Sequence, residues 1–278
     1  MSYLKTPDEI KLIQEGGRIL GEILEKLAKM VLPGVNTFEI DKEAERLIRS
    51  AGGKPAFKDY KGRKNDRPFP TTICACVNEE LVHGIASKNK VLKEGDIFSI
   101  DIGMEYPSPK SLKSIKSVKT MSERGYFTDT AVTVAVGKIP EKTKQLLNVT
   151  RKALEIGIKQ CVVGNTITDI GRAIQNYVEP QGYGIVRDLV GHGVGHAVHE
   201  EPRVPNYYNK ESEKWILQPG VVIAIEPMIT MGDWHIVTAD DGWSVKTADN
   251  SLCAHQEHTI VITEDGPIVV TRRPSEKL

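Results

Sequence analysis

Ile10, Ile13, Gly17, Leu20, Leu24 and Leu27 recur at three- and four-residue steps, the period of one face of a helix. Thr6-Pro7-Asp8-Glu9 ahead of them reads as a capping box with proline at the first helical position, and Pro33-Gly34 ends the run. Asn36-Thr37 caps a second helix through Ile40, Ala44, Leu47 and Ile48, which gives out at Gly52-Gly53. From Thr71 the texture turns to short β-rich runs: Thr71 to Val77, Asp96 to Ile102 and Ala131 to Val136. The plan then starts again. Glu141 to Cys161 reads as a long helix closing near Gly164. Asn165-Thr166 caps another, whose Ile170, Ile174, Tyr177 and Val178 keep the spacing of Ile40, Ala44, Leu47 and Ile48.

The repeat extends to the strands. Gly95-Asp-Ile-Phe-Ser-Ile-Asp101 parallels Gly220-Val-Val-Ile-Ala-Ile-Glu226, each an apolar run ending in a carboxylate six residues after a glycine. Asp129-Thr-Ala-Val-Thr-Val parallels Glu257-His-Thr-Ile-Val-Ile, each run beginning with one. Two helices and then strands, twice, predicts an α+β fold with a pseudo-two-fold axis: a mainly antiparallel sheet covered by two pairs of helices. The expected organisation is one domain, 1–278, of two related halves at about 1–137 and 138–278.

If a two-fold relates the halves, Asp101, Asp129, Glu226 and Glu257 converge on its axis, at the border of the sheet. Four carboxylates packed together cannot all stay ionised unless charge compensates them. Two divalent cations would supply it, and bridging carboxylates hold such pairs about 3.5–4 Å apart. His192 completes the set as its nitrogen ligand. It lies in Gly191-His-Gly-Val-Gly-His196-Ala-Val-His199-Glu-Glu-Pro202, which holds three of the seven histidines among small residues. An oxygen-dominated set with one imidazole suits Mn, Fe or Co better than a Cys/His zinc site, with Zn or Ni open. Other chemistries lack their signatures: there is no His-Glu-x-x-His, no Gly-x-Ser-x-Gly elbow and no phosphate loop.

Composition changes this picture little. With 40% apolar and 27% charged residues and zero formal charge, no overall field favours nucleic acid or a membrane. No apolar run approaches the roughly 20 residues of a membrane span, and Met1 to Lys5 lacks the core of a secretory signal. Cys74, Cys76, Cys161 and Cys253 show neither metal nor disulfide spacing, which suits a reducing cytoplasm. Two stretches fall outside the repeat. Lys61 to Pro68 is a charged surface loop. Within about 104–126, Ser-Leu-Lys, Ser-Ile-Lys and Ser-Val-Lys follow in succession, a basic low-complexity insertion that could meet a polyanion.

From about Thr6 to Thr271 the chain resembles the type I methionine aminopeptidases, the pita-bread metallopeptidases that remove the initiator methionine. The resemblance is carried by Asn78-Glu-Glu-Leu-Val-His83-Gly-Ile85, Ser99-Ile-Asp101-Ile-Gly103, Thr128-Asp129-Thr130, Gly191-His192-Gly-Val-Gly195, His199-Glu-Glu-Pro202, Ile225-Glu226-Pro-Met228, Asp241-Gly-Trp243 and Glu257-His-Thr259. It implies that Asp101 binds one metal alone, that Asp129 and Glu257 bridge, and that His192 and Glu226 bind the other metal. Glu226 would also be the general base, His199 the imidazole at the developing oxyanion, and His83 a second catalytic imidazole. The other four histidines, His196, His235, His255 and His258, keep a structural reading. The methionine pocket would be lined by Tyr60, Phe69, Cys74 and Trp243, widened by Val198 where a larger aromatic is common.

The resemblance also implies substrates: the N-termini of nascent polypeptides with a small second residue. The basic insertion would sit at a hairpin tip and could touch the ribosome, and the chain would act as a cytoplasmic monomer. Relatives on the same fold include proline-specific peptidases with a long extra N-terminal domain, and binding modules that have lost ligands. Here all five ligand positions and both catalytic histidines are in place.

Overall fold

The computed structural model describes residues 3–62, 67–112 and 124–276. Helix α1 (Pro7–Ala28) starts at the predicted capping box: the Thr6 hydroxyl accepts from Glu9 N, and Glu9 Oε2 accepts from Thr6 N at 2.7 Å. Asn36 caps α2 (Thr37–Ser50). In the second half α3 (Glu141–Lys159) and α4 (Ile167–Val178) repeat the pair, with a second capping box between Thr166 and Asp169. Each helix turns one apolar face to the sheet.

The strands that matter here are β1 (Ile73–Val77), β2 (Ile97–Tyr106), β3 (Tyr126–Ala135), β4 (Gly191–Gly193), β5 (Glu200–Val204), β6 (Val222–Ile225), β7 (Met228–Thr230), β8 (Cys253–His255) and β9 (Glu257–Thr263). Among the described residues the main sheet is antiparallel and runs β1-β2-β3-β9-β6-β4-β5. Its centre is the β3–β9 seam, where the two halves meet. On one side of the seam lies the β2–β3 hairpin, on the other the β9–β6 pair, so the repeat read from sequence is a repeat in space. Threonines stitch the seam. Thr259 Oγ1 accepts from Asp129 N at 2.9 Å and donates to Asp129 O at 2.8 Å, and Thr130 Oγ1 donates to Glu257 O at 2.8 Å.

Two apolar cores follow from this plan. Leu20, Leu24, Ile40 and Ile48 pack on Ile100, Ile102 and Val132 in the first half. Leu154, Ile170 and Ile174 pack on Ile223, Ile225 and Ile260 in the second. Both lie on the face of the sheet that the helices cover. Along α1, Gly17 and Gly21 let the C-terminal segment lie directly on the helix. A methyl at either would meet the carbonyl of Val270 at 2.7 Å or of Arg272 at 2.6 Å.

Two sequence expectations are refined. β2 and β3 run past their apolar cores to Tyr106 and from Tyr126, so Asp101 and Asp129 lie inside strands rather than at their ends. The cause is the hairpin register, continuous from Ile97↔Ala135 to Tyr106↔Tyr126, which carries polar residues along with it. The predicted insertion therefore leaves the hairpin only beyond Tyr106. Most of its Ser/Lys triplets, 113–123, lie outside the described residues. Among the described residues no helix is long and apolar enough to cross a membrane, and all four cysteines are free and buried.

Candidate metal centre and active site

Strand register places the acidic residues on one face. Asp101 is paired with Ala131, Ala131 with Glu257, and Asp129 lies two residues from Ala131. Residues opposite one another, or two apart, share a face, so all three carboxylates point away from the helices. His258↔Ile225 is the pair next to Glu257; one more step sets Glu226 opposite Glu257. His192 comes from the far side, on β4, where a register shift after it re-aims the strand. Asp129, His192, Glu226 and Glu257 are buried, and Asp101 is partly so. Ligand atoms of Asp101, Asp129 and Glu257 lie within 4.8 Å of one another, as do those of His192, Glu226 and Glu257.

The electrostatics of this cluster demand a counter-charge. His192 Nδ1 faces the carbonyl of Gly193 at 2.9 Å, and a carbonyl only accepts, so the proton sits on Nδ1. Nε2 faces Glu226 Oε1 at 3.6 Å and Asp129 Oδ2 at 3.9 Å. Asp101 Oδ1 and Glu257 Oε1 are buried without a hydrogen-bond partner. Burial pushes the Asp101 carboxyl up to about 6, with the Glu226 charge adding to it, and burial pushes Glu226 up to about 7. Asp129 and Glu257 are raised further, by burial first and then by the neighbouring carboxylates. Lone pairs and orphaned oxygens facing inward fit divalent cations, which convert every one of these costs into coordination.

The cluster forms the floor of a cavity of about 710 Å³, whose lining includes Phe57, Tyr60, Phe69, Cys74, His83, Met228 and Trp243. Beside the carboxylate cluster stand two imidazoles. His199 packs edge-on to His192, ring centroids 4.5 Å apart, and its Nδ1 is 3.1 Å from the Tyr60 hydroxyl. His83 has a left-handed backbone, φ +57°, which a histidine adopts at a cost. Desolvation in the cleft lowers the pKa of both rings, with His255 adding to the effect at His83, and His192 and then His83 at His199. Desolvation thus disfavours the charged form of both rings.

The apolar end of the cavity explains its own residues. Lys61 to Pro68 separates Tyr60 from Phe69 in sequence, yet Phe69 N donates to Tyr60 O and Asp59 N to Phe69 O, both at 2.9 Å. The loop is pinched at its base, and both rings stay on the wall. Trp243 sits edge-on to Phe69 at 5.3 Å, and its backbone N donates to Asp241 Oδ1 at 2.8 Å. Val198 is buried in the same apolar cluster, behind the wall rather than among the lining residues.

Phe57, which lines the cavity, and His255, which lies behind Glu226, carry more than the sequence suggested. Phe57 covers Gly103, where a methyl would lie 2.7 Å from its ring; a glycine inside a strand is the signal that something approaches closely. His255 has its Nε2 3.5 Å from Glu226 Oε2. Its signal was its place two residues before Glu257, on the same face of an extended chain. The remaining histidines keep the structural roles expected of them: His196 pairs with Glu9, His258 with Glu276, and His235 with Asp233 on the surface.

The description "Metallopeptidase family M24" matches residues 11–110 and 114–264. The chain belongs to metallopeptidase family M24. It is 42% identical over 272 residues to methionine aminopeptidase 1 of Bacillus subtilis (strain 168), covering 98% of this chain and 100% of that one. It is 41% identical over 271 residues to the methionine aminopeptidase of Clostridium acetobutylicum, covering 98% and 99%. The crystal structure of methionine aminopeptidase from Thermotoga maritima superposes with a TM-score of 0.86 at 38% identity, covering 97% of this chain and 99% of that one. The fold is therefore the pita-bread fold that the resemblance implied, consistent with the pseudo-two-fold α+β plan read from the repeat, and divalent metal is part of the chemistry of this M24 metallopeptidase.

Proposed function

We propose that this chain is a methionine aminopeptidase, a hydrolase that cleaves the peptide bond after an N-terminal methionine when the second residue is small. Its substrates are the N-termini of nascent polypeptides. The single observation that carries the reading is the inward-facing set Asp101, Asp129, Glu226, Glu257 and His192 at the floor of an apolar-walled cavity. In this reading the two halves form one catalytic domain. Asp101, Asp129, His192, Glu226 and Glu257 would hold two divalent cations between them, with Mn, Fe or Co favoured by the oxygen-rich donor set.

Such a pair, when bound, polarises the scissile carbonyl and lowers the pKa of water. The protein's own groups do the rest. Phe57, Tyr60, Phe69, Cys74 and Trp243 receive the methionine side chain, whose thioether packs well on aromatic edges. Glu226 takes a proton from the attacking water and delivers it to the leaving amine, the shuttle a positioned carboxylate provides. His199 and His83 donate hydrogen bonds where negative charge develops on the substrate. The wall excludes bulk water and so keeps these dipoles effective.

The test is selectivity. Metal-loaded protein is expected to hydrolyse Met-Ala-Ser and to leave Ala-Pro-Ala intact. The reverse pattern would assign the chain to proline-specific hydrolysis on the same fold.

A further inference from the structure

His255 is an imidazole that packing alone does not account for. It is 1% exposed, and neither ring nitrogen has a hydrogen-bond partner. A side chain present only to fill this space would need no nitrogen, and an unpaired polar group in a core lowers stability. Its place is held firmly by the backbone. His255 N donates to Thr133 Oγ1 at 2.8 Å, and the same hydroxyl donates to His255 O at 2.9 Å. On its other side His255 is paired with Met228 of β7. The ring therefore points where the sheet sends it, toward the metal centre.

There it meets Glu226. The carboxylate lies between two imidazoles, with Oε1 3.6 Å from His192 Nε2 and Oε2 3.5 Å from His255 Nε2. A neutral imidazole carries one N–H, and Glu226 Oε2 is the acceptor within reach of Nε2. A carboxylate that binds a cation keeps its charge, and charged acceptors draw a donor into short, directional hydrogen bonds. Ligating groups are held in orientation by such outer partners.

We propose that His255 is a positioning residue of the metal centre: its Nε2–H fixes the Glu226 carboxylate in the orientation that coordination beside His192 requires. This rests on the reading of Glu226 as a metal ligand. His255 itself touches neither substrate nor the reacting atoms, and acts through Glu226.

Cobalt(II) binding tests it. The full-length apoprotein and its H255L, H255N and H255Q variants are titrated with Co²⁺ by calorimetry, with the visible absorption of the bound ion as a second readout. Leu fills the space without a donor, Asn has a donor too short to reach, and Gln has one that reaches. H255L is expected to weaken one Co²⁺ binding step by about 10- to 100-fold and to shift the absorption band. H255N should do the same, and it replaces H255L if Leu does not fold. H255Q should restore most of the affinity and the band. Unchanged affinity and spectrum in H255L or H255N would overturn the proposal, as would an H255Q as weak as they are. Wild-type protein that takes up no Co²⁺ would overturn the metal-centre reading itself, and this inference with it.

Discussion

Glu226 is the residue on which the proposed chemistry turns. Glutamine in its place keeps the size and the hydrogen-bonding oxygen but cannot accept a proton. Glu226→Gln is expected to lower kcat by about 10²–10⁴-fold, the usual contribution of a positioned acid–base group, with the circular dichroism spectrum of a folded protein. Retained turnover would remove Glu226 from that role. Its neighbours make a second prediction about pH. In the apoprotein, burial raises Asp101 from 3.8 to about 6 and Glu226 from 4.5 to about 7. Between the unfolded and folded values the native state binds more protons than the unfolded one, so stability falls as pH rises through that window. Burial of His83 and His199 works in the opposite direction, so the test is a difference between proteins. The urea midpoint of the Glu226→Gln apoprotein is expected to fall less, or rise more, than that of the wild-type apoprotein between about pH 5 and pH 8. Metal loading should remove the difference, because the cations favour the ionised forms. Identical pH trends in the two apoproteins would contradict the raised Glu226 value.

At the scale of elements, the segment before α1 secures the loop that carries His199. The Lys5 ammonium, buried with its side chain fully covered, pairs with Glu200, the residue after His199. A turn further on, Glu9 pairs with His196 at 2.9 Å and accepts from the Tyr126 hydroxyl at 3.2 Å. The first half thus clamps a loop of the second. Lys5→Met leaves the partly buried Glu200 unpaired and is expected to destabilise the fold by about 3 kcal/mol in urea unfolding. Adding Glu200→Gln should recover part of that loss; no recovery would mean that the two side chains are not coupled.

These elements were mostly legible beforehand. Capping boxes and apolar spacing located the four long helices, since those signals are local. The strand limits were not, because Gly103 to Glu105 and Thr128 to Asp129 have no β-rich texture. Cross-strand register keeps them extended, and register is a property of the pair.

At the scale of the molecule, the repeat was the most informative feature of the sequence. It predicted that four distant carboxylates converge, and the β3–β9 seam is the place where they do. What one chain's periodicity could not supply was the angle of individual rings. His255 was read as structural and Phe57 was not singled out, because their importance comes from neighbours distant in sequence: Glu226 for the first and Gly103 for the second. Conversely, Tyr60 is held in the wall across a charged loop by two backbone hydrogen bonds, which no residue-type pattern encodes.

Asp101, Asp129, Glu226, Glu257 and His192 form the proposed cage for a pair of divalent cations. Its most direct test is the metal content of the apoprotein after equilibrium dialysis against Co²⁺ or Mn²⁺, measured beside the bridge variant Asp129→Asn. Uptake is expected to saturate at about two ions per chain in the wild type and to be weakened in the variant. Wild-type protein that emerges metal-free, or a variant that loads equally well, would contradict it.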